Sequence, residues 1–366
     1  MRPRDRVLAA LRRRPTDRVP IFMWFHPGTA ARLADRLEIP AAYLPQVLGD
    51  DIRQAWVGNN YAMEGIVHAE EGGTHVDDWG VRWVRRGPFN QIQTYPLRTA
   101  TAAELARYRF PHRRIAALLR SMEHVWPLHD RYFIGCDVSP CLFEMACRLL
   151  GMERAILDLA GPPAQPDGGL LEKACGFSVE LATAACAAGP LDWLWTGDDV
   201  GSQQALIMSP ATWRQRIAPL LGRITAVGRQ HGLWVAYHSC GAIRPIIPDL
   251  IELGVDVLNP VQANCPGMSP LELKREFGDV LTFMGGVDTQ ELLPHGEPLA
   301  VQRVTEELIA HMTADGGGYI LAASHAVPPE TPLDNIFAMY AAAGLSRAEI
   351  LDTAAAQRAR LAARDG

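Results

Sequence analysis

Short apolar runs recur along the chain from residue 132 to residue 322, separated by longer stretches with helical spacing. The runs are Tyr132 to Gly135, Trp193 to Thr196, Trp234 to Tyr237, Val255 to Leu258, Leu281 to Met284 and Tyr319 to Ala322. Each is apolar at successive positions, as strands covered on both faces are, which predicts a buried parallel sheet. Between them lie predicted helices. One runs from Ser209 to His231, with a Ser-Pro start and a His-Gly stop, and another from Ser269 to Phe277, closed by Gly278. Strand and helix in alternation predict a βα array.

The residues after the runs say how the array closes. Gly197-Asp-Asp-Val-Gly201, His238-Ser-Cys-Gly241, Asn259-Pro-Val-Gln262, Gly285-Gly-Val-Asp288 and Ala323-Ser-His325 each follow an apolar run. An open sheet gathers such chemistry at one switch point, whereas a barrel gathers it around one mouth. The pattern therefore predicts an α/β fold of the (β/α)8 barrel type. Neither Gly285-Gly286 nor Gly316-Gly-Gly318 completes a dinucleotide-binding fingerprint, and there is no P-loop.

The first part of the chain reads as an N-terminal extension. Val7, Leu8 and Leu11 share a face within a predicted helix from Arg6 to Arg14, and Arg18 to Phe25 reads as a buried strand ending in the turn His26-Pro-Gly28. Residues 74–97, with Val76, Trp79, Val81 and Trp83 interleaved with polar positions, predict a β-hairpin insertion. The Ala- and Arg-rich stretch 346–366 predicts an exposed helical tail. Residues 1–366 are expected to form a single barrel-based unit.

Composition narrows the class. The chain has 366 residues, is 48% hydrophobic and carries a formal charge of −6, which excludes a disordered chain and argues against nucleic acid or an anionic membrane as main partner. No stretch approaches the ~18 apolar residues of a membrane span. The opening Met1-Arg-Pro-Arg-Asp-Arg-Val7 has no apolar signal-peptide core, and the seven cysteines form no disulfide framework, so a reducing cytoplasm is expected.

The sharpest candidate chemistry is His238-Ser-Cys240. Side chains two positions apart on a strand point to the same face, and an imidazole with a thiolate suits Zn²⁺. A third ligand would have to come from His325 or Cys265, or as an oxygen from Asp198, Asp199 or Glu144. The same H-x-C is also what a hydrogen-bonded barrel histidine and a small buried thiol would give. Asp198 and Asp199 are candidate catalytic carboxylates, although adjacent side chains at a strand end diverge, so one of them is expected to cap a helix or pair with an arginine. Gln262 is a candidate for orienting substrate or ligand, and Asp288 for binding substrate or for capping the helix that follows it. Trp24, His26 and Asp51 are candidate substrate-binding residues at the mouth. Cys136, Cys141 and Cys147 have no zinc-ribbon spacing and read as packing residues.

These motifs carry a family resemblance. The run from His238 to Gln262, together with Phe283 to Gln290, Gly316 to His325, Gly197 to Gln203 and Leu11 to Pro20, resembles the uroporphyrinogen decarboxylase superfamily over almost the whole chain. That superfamily includes metal-free porphyrinogen decarboxylases and zinc methyltransferases that move a methyl group between a corrinoid protein and a thiol or similar acceptor; both are (β/α)8 barrels. The decarboxylases carry arginines after the first strand that hold substrate carboxylates. Here that place reads Met23-Trp-Phe-His-Pro-Gly28, with no cationic clamp. The methyltransferases use an H-x-C pair and a later cysteine. His238 and Cys240 match the pair, and His325 stands near the place of the later cysteine.

The resemblance thus implies a zinc-dependent methyltransferase with His238, Cys240 and His325 as metal ligands and Cys265 as the alternative third. It also implies a small-molecule substrate, a corrinoid-protein partner supplying the corrinoid, and homodimerisation as a possibility. A metal-free decarboxylase of a small carboxylic acid and a non-catalytic ligand-binding barrel are the competing readings.

Overall fold

The computed structural model describes residues 1–58, 70–161 and 169–365. Its main sheet is a curled array of seven parallel strands, β1 (Ile52–Trp56), β5 (Phe133–Asp137), β6 (Trp193–Gly197), β7 (Trp234–His238), β8 (Val257–Val261), β9 (Thr282–Val287) and β10 (Tyr319–Ala323), paired in that order. A separate antiparallel sheet comprises β2 (Thr74–Val76), β3 (Arg82–Arg86) and β4 (Phe89–Thr94). Strands β5, β6, β8 and β10 are buried along their whole length, which explains why they read as unbroken apolar runs.

Strand β1 gave no such signal. Its sequence Ile52-Arg-Gln-Ala-Trp56 has two polar residues at its centre, both only partly buried. Segment 20–25, by contrast, reads as a strand but contributes only isolated parallel bridges, Ile21 to Leu321 and Phe25 to Val327. Phe22 N donates to Leu321 O (3.0 Å), Leu321 N to Pro20 O (2.8 Å), and on the other side Asp51 N donates to Ile21 O (2.9 Å). The segment therefore bonds to β10 on one side and to Asp51, just before β1, on the other.

Alternation along these strands fills the interior with large side chains. Phe22, Ile52, Phe133, Trp193, Trp195 and Met284 form one buried cluster, closed from one end by Val7 and Leu11 of the helix Pro3–Leu11. Trp193 fits because Gly135 stands beside it; a Cβ there would lie 2.0 Å from Trp193 Nε1. The helical stretch from Ser209 to His231 is two helices, Pro210–Arg216 and Ala218–Gln230, joined at Ile217 just before Pro219.

The region 74–97 has three strands where a two-stranded hairpin was expected. Asp77 explains the extra turn. Its carboxylate accepts from Trp79 N (2.9 Å), Val81 N (2.9 Å) and Trp83 Nε1 (2.8 Å), so the chain reverses at Asp77 and Thr74–Val76 pairs back on β3. The C-terminal stretch is a helix, Arg347–Asp365. Among the described residues, no helix is long and apolar enough to cross a membrane.

Candidate metal centre

The C-terminal ends of the parallel strands bring three predicted ligands together. His238 is the last residue of β7, Cys240 lies two residues on, and His325 lies two residues beyond β10. One ligand atom from each of the three lies within 4.8 Å of the others. His238 Nε2 and Cys240 Sγ are 3.6 Å apart. Ligand bonds of 2.0–2.1 Å to nitrogen and 2.3 Å to sulfur at a tetrahedral angle require roughly 3.6 Å. The donor chemistry therefore fits zinc, and the His238–Cys240 spacing is what a shared ion requires. Cys265 stands apart, its Sγ 3.4 Å from Gln203 Oε1 and 3.7 Å from Gln262 Oε1.

His238 is held in one tautomer. Its Nδ1 lies 2.6 Å from Asn259 Oδ1, while Asn259 Nδ2 faces Met284 O at 3.5 Å. The amide oxygen can only accept, so His238 Nδ1 carries the proton and Nε2 presents its lone pair to the cluster. Asn259 was not singled out from the sequence, although it lies on β8, and its register partner on β7 is His238.

The two adjacent aspartates diverge. Asp199 Oδ1 accepts from Cys240 N (2.8 Å) and lies 3.7 Å from His238 Nε2. Asp198 points the other way, is fully buried, and accepts from Phe143 N (2.9 Å) and Glu144 N (2.6 Å) at the start of the helix Phe143–Leu150. Burial pushes its carboxyl up to about 7 despite those two donors. Asp198 is thus removed from the ligand cluster and holds the first turn of the helix that carries Glu144. Glu144 is raised by desolvation, opposed by its ion pair with Arg148 at 2.7 Å.

The loops after β6 and β7 interlock. A Cβ on Gly201 would lie 2.4 Å from Cys240 O, and Gly241, at φ +88°, packs its Cα against Gly201. Gln262 Oε1 accepts from Gly241 N at 2.5 Å, so Gln262 fixes the turn behind Cys240.

Burial acts on the candidate ligands themselves. Desolvation and then the neighbouring carboxylates of Asp199 and Glu144 push the Cys240 thiol well above its usual value. Desolvation and then His238 lower His325, so its imidazole favours the neutral, ligating form.

Trp24 walls the site. Its ring lies 5.9 Å from His238, 5.3 Å from Trp195 and 5.7 Å from Trp56.

Three other expected site residues serve the scaffold. His26 caps the helix Pro27–Leu37 by accepting from Gly28 N (3.0 Å), and its Nε2–H donates to Pro88 O (2.8 Å), so both ring nitrogens are committed. Asp288 accepts from Gln290 N, Glu291 N and Leu292 N, and from Asn264 Nδ2. Asp51 lies at the opposite end of the sheet, before the first residue of β1. It is fully buried, paired with Arg6 and with Arg18 (2.8 Å), and accepts from Ile21 N (2.9 Å). A carboxylate so neutralised on the far face cannot line the mouth.

The uroporphyrinogen decarboxylase (URO-D) family model matches residues 93–344. A methylcobamide:CoM methyltransferase, MtaA, of Methanosarcina barkeri is 26% identical over 356 residues, covering 93% of this chain and 96% of its own. The MtaA of Methanosarcina barkeri strain Fusaro is 25% identical over the same shares. A methyltransferase from Methanosarcina mazei superposes with a TM-score of 0.64 at 20% identity, covering 94% of this chain and 98% of that one, which supports the shared fold. The chain belongs to the uroporphyrinogen decarboxylase family, on the side of its methylcobamide methyltransferase relatives.

Proposed function

We propose that this protein is a zinc-dependent methyltransferase that moves a methyl group between a corrinoid protein, or a methylated small molecule, and a thiol-type acceptor. The observation that carries this reading is the His238–Cys240–His325 donor set, within 4.8 Å at the C-terminal strand ends. The relatives named methylcobamide:CoM methyltransferase support an enzyme of this class.

Zinc held by His238 Nε2, Cys240 Sγ and His325 would supply a Lewis acid that acidifies a substrate thiol near neutral pH. The chain's own residues do the remaining work. Asn259, accepting from His238 Nδ1, turns Nε2 toward the cluster. Asp199, 3.7 Å from His238 Nε2, is placed to receive the proton of an incoming thiol. Gln262 and the interlocked glycines hold the Cys240 turn in place. Trp24 and Trp195 pack their rings beside His238, at 5.9 Å and 6.2 Å.

We read segment 20–25 as the eighth stave of a closed (β/α)8 barrel within one unit spanning the chain; its bonds to β10 and to Asp51 support this. The strand ends then form a single mouth at which a corrinoid protein docks. Segment 23–28 contributes Trp24, Phe25 and His26 but no arginine, which leaves the clamp for a polycarboxylate tetrapyrrole unbuilt.

The test is methyl transfer from methylcobalamin to a panel of thiols, comparing wild type with Cys240→Ser. Loss of transfer in the variant is expected. Equal rates would remove Cys240 from the reaction.

A further inference from the structure

Segment 20–25 and β1 lie side by side, yet Asp51 N to Ile21 O is the one backbone hydrogen bond between residues 20–25 and 51–56 among the described residues. Beyond it the two part around a cavity of about 950 Å³. Phe22 and Ile52, of the cluster inside the sheet, line this cavity, and so do Met23 and Leu44, of the separate cluster between sheet and helices. The cavity therefore passes through the wall of the sheet. Its outer rim includes Ala41, Ala42, His124 and Leu128, all exposed. Its inner end reaches Trp24, whose ring lies 5.9 Å from His238, and Ala326, the residue after His325.

What the cavity offers a ligand is apolar surface. Trp24, Phe25, Tyr43 and Trp56 all line it, and each is only half-buried. Inward of the rim, the charged and amide side chains are turned to the protein. Arg53 Nη1 donates to Asp50 O (3.0 Å) and Ile52 O (2.8 Å), its guanidinium lies 3.9 Å over the Tyr132 ring, and the Asp50 carboxyl is beside it. That carboxyl accepts from Tyr340 OH (2.7 Å). Gln54 Oε1 accepts from Trp193 Nε1 (2.7 Å), and Gln46 Nε2 donates to Gln357 Oε1 (3.3 Å). The donors without partners here, Arg53 Nη2, Gln54 Nε2 and the indole N–H groups of Trp24 and Trp56, have no accessible surface. A charged ligand would therefore lose its hydration without meeting an opposite charge. An uncharged apolar ligand loses little and covers aromatic surface that otherwise faces water. The volume is that of a small-molecule pocket with room for more than one ring.

We propose that this cavity binds an uncharged apolar molecule of about two fused rings, packed against Trp24, Phe25, Tyr43 and Trp56. The binding site stands on the cavity alone and does not depend on a metal at His238, Cys240 and His325. Its role rests on the methyltransferase reading above: the molecule is the apolar body of the small-molecule partner in the transfer, because the inner end of the cavity lies beside that donor set. The small molecule then enters through the wall and leaves the strand-end mouth to the corrinoid protein.

The experiment is equilibrium dialysis of the full chain with methoxynaphthalene, against naphthoate and naphthylmethylammonium as charged molecules with the same body. Saturable binding of methoxynaphthalene is expected, with both ions about tenfold weaker or more. Ala30→Phe and Ala42→Trp fill lining positions on two different helices, the second at the exposed rim. Each should weaken methoxynaphthalene about tenfold or more while the melting temperature of Ala42→Trp stays that of wild type. No saturable binding, ions bound as tightly, or wild-type affinity in both variants would overturn the site. Methoxynaphthalene is then added to methyl transfer from methylcobalamin to mercaptoethanol. Inhibition at the concentration that fills the cavity is expected, and transfer at an unchanged rate would overturn the role. Bound methoxynaphthalene with no transfer to any thiol would count against the methyltransferase reading and the role, and leave the binding site standing.

Discussion

His238 Nδ1 sits 2.6 Å from Asn259 Oδ1, across the β7–β8 pairing, and this contact decides which imidazole nitrogen faces Cys240. A ligating histidine held through its other nitrogen loses about 10–100-fold in metal affinity when that partner is removed. Asn259→Ala is therefore expected to weaken zinc retention by about that factor, measured by competition with a chelator, while Asn259→Asp keeps it. Unchanged retention in Asn259→Ala would show that His238 is not held for metal binding.

Asp199 is expected to act on the reaction rather than on the fold. Its side chain is 40% exposed, and one oxygen accepts from the Cys240 amide. Asp199→Asn preserves that acceptor and removes the charge. It should retain zinc and the wild-type melting temperature but slow thiol methylation by about 10²–10⁴-fold at neutral pH, as loss of a general base does. A variant as fast as wild type would free Asp199 of any proton-handling role.

Asp51 should behave in the opposite way. Removing it leaves Arg6 and Arg18 without their shared buried partner, a loss on the order of 3–5 kcal/mol. Asp51→Ala is expected to lower the denaturant midpoint strongly while leaving zinc stoichiometry in the folded fraction unchanged. Loss of zinc from protein that is still folded would return Asp51 to the site.

Asp50 gives a pH signature. It is fully buried and accepts from Tyr340 OH at 2.7 Å, and burial pushes its carboxyl up to about 7 from an ordinary value of 3.8. The folded state therefore holds a proton between about 4 and 7 that the unfolded state has released. That stabilisation is complete below pH 4 and is lost as the pH rises through 7, at a slope of about 1.4 kcal/mol per pH unit for one proton. Asp50→Asn should flatten this part of the stability curve. Identical curves for wild type and Asp50→Asn would contradict the buried protonated carboxyl.

The sequence made the strands legible where they are buried on both sides. The run Trp193 to Thr196 falls within β6, Trp234 to Tyr237 within β7, and Tyr319 to Ala322 within β10. It hid β1, because Arg53 and Gln54 face a cavity and break the apolar run. In the site, an i, i+2 pair on a strand was readable because spacing alone puts His238 and Cys240 on one face. The roles of Asp51 and His26, and which of Asp198 and Asp199 would hold a helix start, were not. A carboxylate or imidazole after a strand looks the same in sequence whether it caps a helix, closes an ion pair or meets a substrate, and only the three-dimensional partners distinguish these cases. Asn259 was missed because its meaning depends on cross-strand register.

The central claim is that one imidazole pair and one thiolate hold zinc at the strand ends. X-ray absorption at the zinc edge on protein purified without chelators tests it most directly. The account predicts about one zinc per chain, with one sulfur near 2.3 Å and two nitrogens at 2.0–2.1 Å, the sulfur contribution vanishing in Cys240→Ser. Protein devoid of zinc, or zinc with no sulfur neighbour in the wild type, would contradict it.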